Sequence, residues 1–442
     1  MATGTHDNDL ARRLRATAEP LSGRSGDYDG LFRNIGHAHL VLLGEASHGT
    51  HDFYWERARI TERLIEENGF NAVAIEGDWP AAHRVNRYVR GRKGDASAAE
   101  ALSGFDRFPR WLWRNSETVR FVEWLRTHNA RVPAERRAGF YGLDLYATHA
   151  SIDAVLRFLE DADGGAADRA RERYSHFEHF ASKGGDRAEG SEPEPCEDRI
   201  VEELVAMQRR AGDEDSRDGR SDPDAFFFAE QTTRLEKRAP RYFRALFRGS
   251  SGFWNLRDRH MSDTLEELRL HIARTGADPK IVVWAHNAHL GDARRTEMSR
   301  RGEVSVGQLV RERNDRDAFL VGFTTYEGTV AAASEWQGRV EKKRIRPALP
   351  DSHEAVLHRV GVPRFVLTSP QPTDRSSSEA RLERSIGVVY RPETERASHY
   401  FEADLRGQFD AVVHLDETRA LTPLDDPDWN EAEDAMDDRP RS

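Results

Sequence analysis

The chain has 442 residues, 38% of them hydrophobic and 32% charged, and a formal net charge of −11 at pH 7. That apolar share supplies a sizeable core, and the length suits one large domain carrying an inserted or appended piece. The acidic balance argues against nucleic acid as a partner, because phosphate binding needs a basic surface. A single cysteine, Cys196, permits no intramolecular disulfide and fits a reducing compartment. The N-terminal stretch MATGTHDNDLARRLRATAEP holds no apolar signal core, and no run approaches the ~18 apolar residues of a membrane span. A cytoplasmic protein without a membrane partner is expected.

In chain order, the first expected strand is His39–Leu43, closed by the loop Gly44–Gly49. Tyr54, Ala58, Thr61 and Ile65 then recur at helical spacing until Gly69 ends the segment. Asn71–Ile75 and Gly139–Leu143 read as further strands. Helices at Ser151–Asp161, Arg199–Arg210, Asp224–Phe247 and Trp254–Arg274 dominate the middle of the chain. Polar stretches at 183–198 and 212–223 interrupt them, with the composition of solvated loops. Strands resume at Ile281–Trp284, Ala318–Phe323, Arg364–Leu367, Ile386–Tyr390 and Ala411–Leu415. The acidic segment 426–442 reads as a frayed tail. Short apolar strands alternating with helices predict an α/β fold with a largely parallel central sheet flanked by helices. Residues 1–149 and 275–442 then form the α/β core. Residues 150–274 form a helical insertion that contributes to the active-site cleft.

The residues that follow each strand carry the chemistry. Glu45 and His48 follow the first strand, Glu76 the second and Asp144 the third, while His286 and His289 follow Ile281–Trp284. In a parallel sheet these segments emerge at one edge, and ligands of open α/β sheets bind outside the carboxyl ends of the strands. A lone histidine is more often a hydrogen-bonded structural residue than a catalyst. Arg57, one turn into the next helix and on a face with Ile60 and Leu64, would alone read as a surface arginine. Six acid/base residues behind buried apolar strands are harder to explain as solvated surface. Gly44 and Gly49 bracket the first loop and suit a backbone folded closely around a substrate.

The segments GEASHGTHDFYWERARI, AIEGDW, FYGLDLY, RDRHM (257–261), VVWAHNAHLG and VGFTTYEGTV resemble, in order, those of the erythromycin esterase family. The similarity covers roughly residues 35–425, and GExxHG together with HNxH is its specific part. The resemblance implies an α/β core with a helical insertion and a general-base histidine supported by a glutamate three residues before it. It also implies a cleft lined by the downstream arginine, the glutamate after the second strand and the HNxH histidines. These fall on His48, Glu45, Arg57, Glu76, His286 and His289. The resemblance implies hydrolysis of an ester or lactone, a macrolide being one candidate substrate.

Water activation near neutral pH suits a histidine of ordinary pKa near ~6.5. Glu45 would orient the ring. Arg57, His286 or His289 would stabilise the tetrahedral oxyanion. Glu76 would hold Arg57 or position water. Three rival readings remain. Ser47 sits at a strand end, but Gly44-Glu45-Ala46-Ser47-His48-Gly49 is one residue too long for a G-x-S-x-G elbow. The His/Glu set also contains legitimate zinc or manganese ligands, although HNxH is not the i, i+4 pair of zinc proteases. A non-catalytic small-molecule binder would use the same cleft, without explaining so many titratable groups. Neither a cofactor nor a metal is expected.

Overall fold

The computed structural model describes residues 2–144, 251–314, 317–368, 380–426 and 429, with helical positions at 224, 227, 228, 230, 231 and 234 between them. The expected helices Ser151–Asp161 and Arg199–Arg210, both polar stretches and nearly all of the acidic tail lie outside the described residues.

The predicted α/β architecture is present. A nine-stranded sheet has the order β1-β8-β11-β6-β2-β5-β3-β4, with β7 paired to β6. Its centre is six parallel strands: β2 (Leu40–Leu43), β3 (Ala72–Asp78), β4 (Gly139–Asp144), β5 (Ile281–Trp284), β6 (Ala318–Ala333) and β11 (Ala411–Thr418). β1 (Glu19–Pro20), β7 (Val340–Ile345) and β8 (Arg364–Thr368) join antiparallel. β9 (Arg381–Arg384) and β10 (Tyr400–Ala403) form a separate two-stranded ribbon. β2 and β5 are buried at every residue, as expected of parallel strands covered on both faces.

The helices that position the site are α1 (Ala2–Arg15), α2 (Asp29–Ile35), α3 (His51–Asn68), α4 (Trp79–Val89), α5 (Ala98–Ala101), α6 (Ser116–Arg131) and α7 (Ser251–Arg274). α3 ends at Gly69, whose φ of 73° is the left-handed cap that glycine adopts without strain. Right-handed crossovers send the β2–β3 and β3–β4 connections over one face of the sheet and the β5–β6 connection over the other. Accordingly, α3 and α4 pack on α6, while α7 packs on β4 and on the helix Val306–Asn314. The neighbouring strands β2 and β5 therefore send their chains in opposite directions. Their carboxyl ends form the crevice of a topological switch point.

Two strand expectations are corrected. Ile386–Tyr390 is not a strand: it is apolar and buried, but makes only isolated bridges, Ile386 to Ser47 and Val389 to Ala333. The strand lies just before it, at β9. The expected strand Ala318–Phe323 continues to Ala333, because Thr324–Gly328 still pairs with β11 and Gly328–Ala333 pairs with β7. Among the described residues no helix is long and apolar enough to cross a membrane.

Candidate active site

The loop after β2 is shaped by close packing. The Gly44 N–H continues the ladder to Val321 O, and a Cβ on Gly44 would lie 2.1 Å from Asn287 Oδ1. A Cβ on Gly49 would lie 1.8 Å from Ala331 O. Neither glycine has a positive φ. Both admit neighbouring protein, not a substrate as the sequence reading had it. Glu45 O accepts from Asn287 N–H, Ala46 O from Ile386 N–H, and Ile386 O from His48 N–H. The loop is thus pinned on one side by the HNxH segment and on the other by the misassigned 386–390 run.

Within this loop the His48 Nδ1 lies 2.9 Å from Glu45 Oε1. The other oxygen, Oε2, is 2.8 Å from Arg57 Nη2. Arg57 is 0% exposed, and its guanidinium lies over the rings of Tyr54 (4.3 Å) and Trp284 (5.2 Å). Cation–π contact and the ion pair together compensate its burial. Arg57 therefore stands behind Glu45. Glu76 does not hold it, contrary to one role expected of Glu76.

The second half of the site gathers on β3, β4, β5 and α7. The register shifts between Ile75 and Asp78, and such irregularities re-aim side chains at sheet edges. Glu76 Oε1 accepts from Arg257 Nη2 (2.6 Å), and Oε2 accepts from the His286 N–H (2.9 Å). Arg257 also grips Asp144, with Nε at 3.1 Å and Nη2 at 2.8 Å from its carboxylate. His289 Nδ1 faces Asp258 at 2.9 Å, and its Nε2 faces Glu76 at 3.3 Å and Arg257 at 3.1 Å. Its ring stacks on Trp254, with centroids 4.4 Å apart.

Electrostatics separates these groups. Burial lowers the His289 pKa, but the Asp258 and Glu76 carboxylates outweigh it and raise it to about 10. Burial raises Glu76, yet the His289 and Arg257 cations hold it well below the usual carboxylate range. His289 is therefore an imidazolium clamped between two carboxylates. His286 differs: its Nδ1 accepts from the Ala288 N–H at 3.1 Å, which puts the proton of the neutral ring on Nε2. The His286 and His48 rings lie 4.8 Å apart, tilted by 58°.

All six expected site residues thus converge on one crevice, and all are buried. Sequence reasoning missed Arg257 and Asp258 as site residues. They sit on a long helix with no strand end to flag them, although RDRHM stood among the recognised segments. Ser47 Oγ is fully buried and hydrogen-bonded to the Thr50 hydroxyl. Among the described residues no three His, Cys, Asp or Glu side chains form a metal-holding group. His289 already has both ring nitrogens engaged. Beside Glu76, Asp144 and Arg257 a pocket opens, walled by Phe105, Phe108 and Trp113. Trp113 Nε1 donates to Glu76 O and so ties that wall to the site.

Erythromycin esterase type II of Escherichia coli is 23% identical over 416 residues, covering 89% of this chain and 92% of its own. Erythromycin esterase type I of Escherichia coli is 23% identical over 340 residues, covering 72% of this chain and 78% of its own. A crystal structure of a Bacillus cereus protein superposes with a TM-score of 0.67 at 19% identity, over 95% of this chain and 99% of that one. The erythromycin esterase family model matches residues 65–418, a span that begins after the Glu45–His48 loop and includes Glu76, Arg257, His286 and His289. The chain belongs to the erythromycin esterase family.

Proposed function

We propose that the protein is a hydrolase that cleaves a carboxylic ester or lactone with a water molecule activated by His48. One observation carries the reading: Glu45 engages Nδ1 of His48, so Nε2 keeps the lone pair a general base needs. Arg57 holds Glu45 from behind and thereby fixes the tautomer. The water oxygen attacks the carbonyl carbon while its proton passes to His48 Nε2. His286 donates its Nε2 proton as a hydrogen bond to the oxyanion, its backbone anchored by Glu76. The C–O bond then breaks as His48 returns the proton to the leaving alkoxide. Acid and alcohol are released, with no covalent intermediate and no cofactor. Ser47 takes no part, since its hydroxyl is buried against Thr50.

The small-molecule substrate is an ester or lactone. A macrolide is one candidate, in keeping with the erythromycin esterases among the relatives. A panel of aryl esters and lactones, erythromycin included, tests the reading. His48→Asn is expected to lower kcat at least ~10²-fold with the fold unchanged by circular dichroism. Prolonged chelation is expected to leave wild-type turnover intact. Near wild-type turnover in His48→Asn removes the base assignment. Activity that chelation abolishes and zinc or manganese restores replaces this reading with a metal-dependent one. Tight ligand binding without turnover makes the protein a binder.

A further inference from the structure

One buried carboxyl group lies outside the catalytic assembly yet touches the segment that carries two of its histidines. Glu383, in β9, is fully buried. Its Oε2 accepts a hydrogen bond from Gln408 Nε2 at 2.5 Å, and the Asn287 side-chain amide lies beside the same carboxyl. Asn287 stands between His286 and His289, and its side chain also grips the Phe323 N–H and C=O of β6. Gln408 reaches the other end of that segment. Its carbonyl accepts from the Asp292 N–H, and its side-chain oxygen occupies the space where a Cβ on Gly291 would come within 2.6 Å. One buried carboxyl thus sits between the Asn287 amide near one end of 286–292 and Gln408 at the other.

Among the described residues no cation is paired with this carboxyl. Glu354 and Asp404, both acidic, face it. Arg384, next in the chain, directs its guanidinium to the carbonyls of Thr325, Tyr326 and Arg346 and to Glu395. A carboxylate buried without a cation is strongly disfavoured, whereas a carboxylic acid can both donate and accept hydrogen bonds to amides. Burial, with Glu354 adding to it, pushes the Glu383 pKa up to about 8.

We propose that Glu383 is the positioning residue of the His286–His289 segment, working as a neutral carboxylic acid that bridges Asn287 to Gln408. Ionisation places a negative charge beside Glu354 and Asp404 and loosens the segment that presents His286 to His48. The activity arm of the test rests on the hydrolase reading; the stability arm does not.

The measurement is kcat and KM for an aryl ester between pH 6 and 9, below the His289 titration, corrected for spontaneous hydrolysis, in wild type and Glu383→Gln. Wild-type kcat is expected to fall about tenfold per pH unit once Glu383 ionises, as for any single titration. Glu383→Gln, which mimics the neutral acid, is expected to stay within about threefold of wild type at pH 7 and to lack that fall. Thermal melting over the same range gives the second readout. The folded-state pKa lies above the unfolded value, so the folded protein holds the proton and stability declines as pH rises from about 4.5 to about 8. Glu383→Gln is expected to lack that component and to melt higher than wild type at pH 9. An alkaline fall in kcat that persists in Glu383→Gln overturns the proposal, as does a pH 7 loss as large as that of His48→Asn. If no ester is turned over, the hydrolase reading fails first, and equal melting slopes in the two proteins then overturn the positioning role by themselves.

Discussion

Glu45 and His48 stand three residues apart and meet within one loop, whereas His289 is gripped by Asp258 from α7 and by Glu76 from β3. Both are histidine–carboxylate pairs in full burial, yet they do different work. The Glu45 carboxylate is hydrogen-bonded to His48, and its second oxygen is already answered by Arg57. That arrangement orients a ring. Two carboxylates face His289, and the charges around it sum to an acidic excess: Glu76, Asp144 and Asp258 against Arg257 and the ring itself. That arrangement holds a proton. The local motif is the same; what else meets the carboxylate decides whether it orients a ring or holds a proton on it.

The largest expected effect breaks the second assembly. Arg257→Ala takes the shared guanidinium from the buried Glu76 and Asp144 carboxylates. Removing one partner of a buried ion pair costs about 3–5 kcal/mol. Denaturant unfolding should register that loss, and a change below about 1 kcal/mol would mean that the cluster does not depend on Arg257.

A smaller effect sharpens the comparison through pH. The His289 pKa is raised above its unfolded value, so its contribution to stability is complete below about pH 6.5 and is lost as pH rises toward about 10. Melting temperature should therefore decline across that window in wild type and decline less in His289→Asn. This window extends above that of Glu383, which closes near pH 8. Melting curves of the two single variants separate the contributions, and a His289→Asn slope equal to wild type above pH 8 would argue against the clamped imidazolium.

The smallest effect is expected at Ser47. Ser47→Ala removes one hydrogen bond to Thr50, worth about 1 kcal/mol. Ester turnover should stay within a few-fold of wild type, and quenched reactions should show no acyl adduct by mass spectrometry. An inactive Ser47→Ala, or an adduct on Ser47, would move the chemistry from water to serine while leaving a hydrolase.

Much of the site was legible because strand ends are legible. β2, β3, β4 and β5 read as apolar runs, and parallel pairing brings the residues after each to one edge, which placed Glu45, His48, Glu76, His286 and His289 together. Arg57 was found, but its partner was not, because the partner of a buried helical side chain depends on how the helix is rotated against the sheet. Arg257 escaped a role for the same reason. The run Ile386–Tyr390 was apolar enough for a strand, yet Ser47 and Ala333 meet it only at single bridges. Hydrophobicity reports burial and does not report a ladder.

The sequence by itself determined the inventory and its destination: an α/β sheet whose carboxyl edge collects histidines and carboxylates. Only the tertiary structure decided who pairs with whom. Glu45 goes to His48 and Arg57, Glu76 to Arg257, His286 and His289, and Glu383 to Asn287 and Gln408. The physical reason is range. Strand periodicity is written in neighbouring residues, whereas protonation and hydrogen bonding depend on groups a few ångströms away in space, supplied here by segments far apart in the chain.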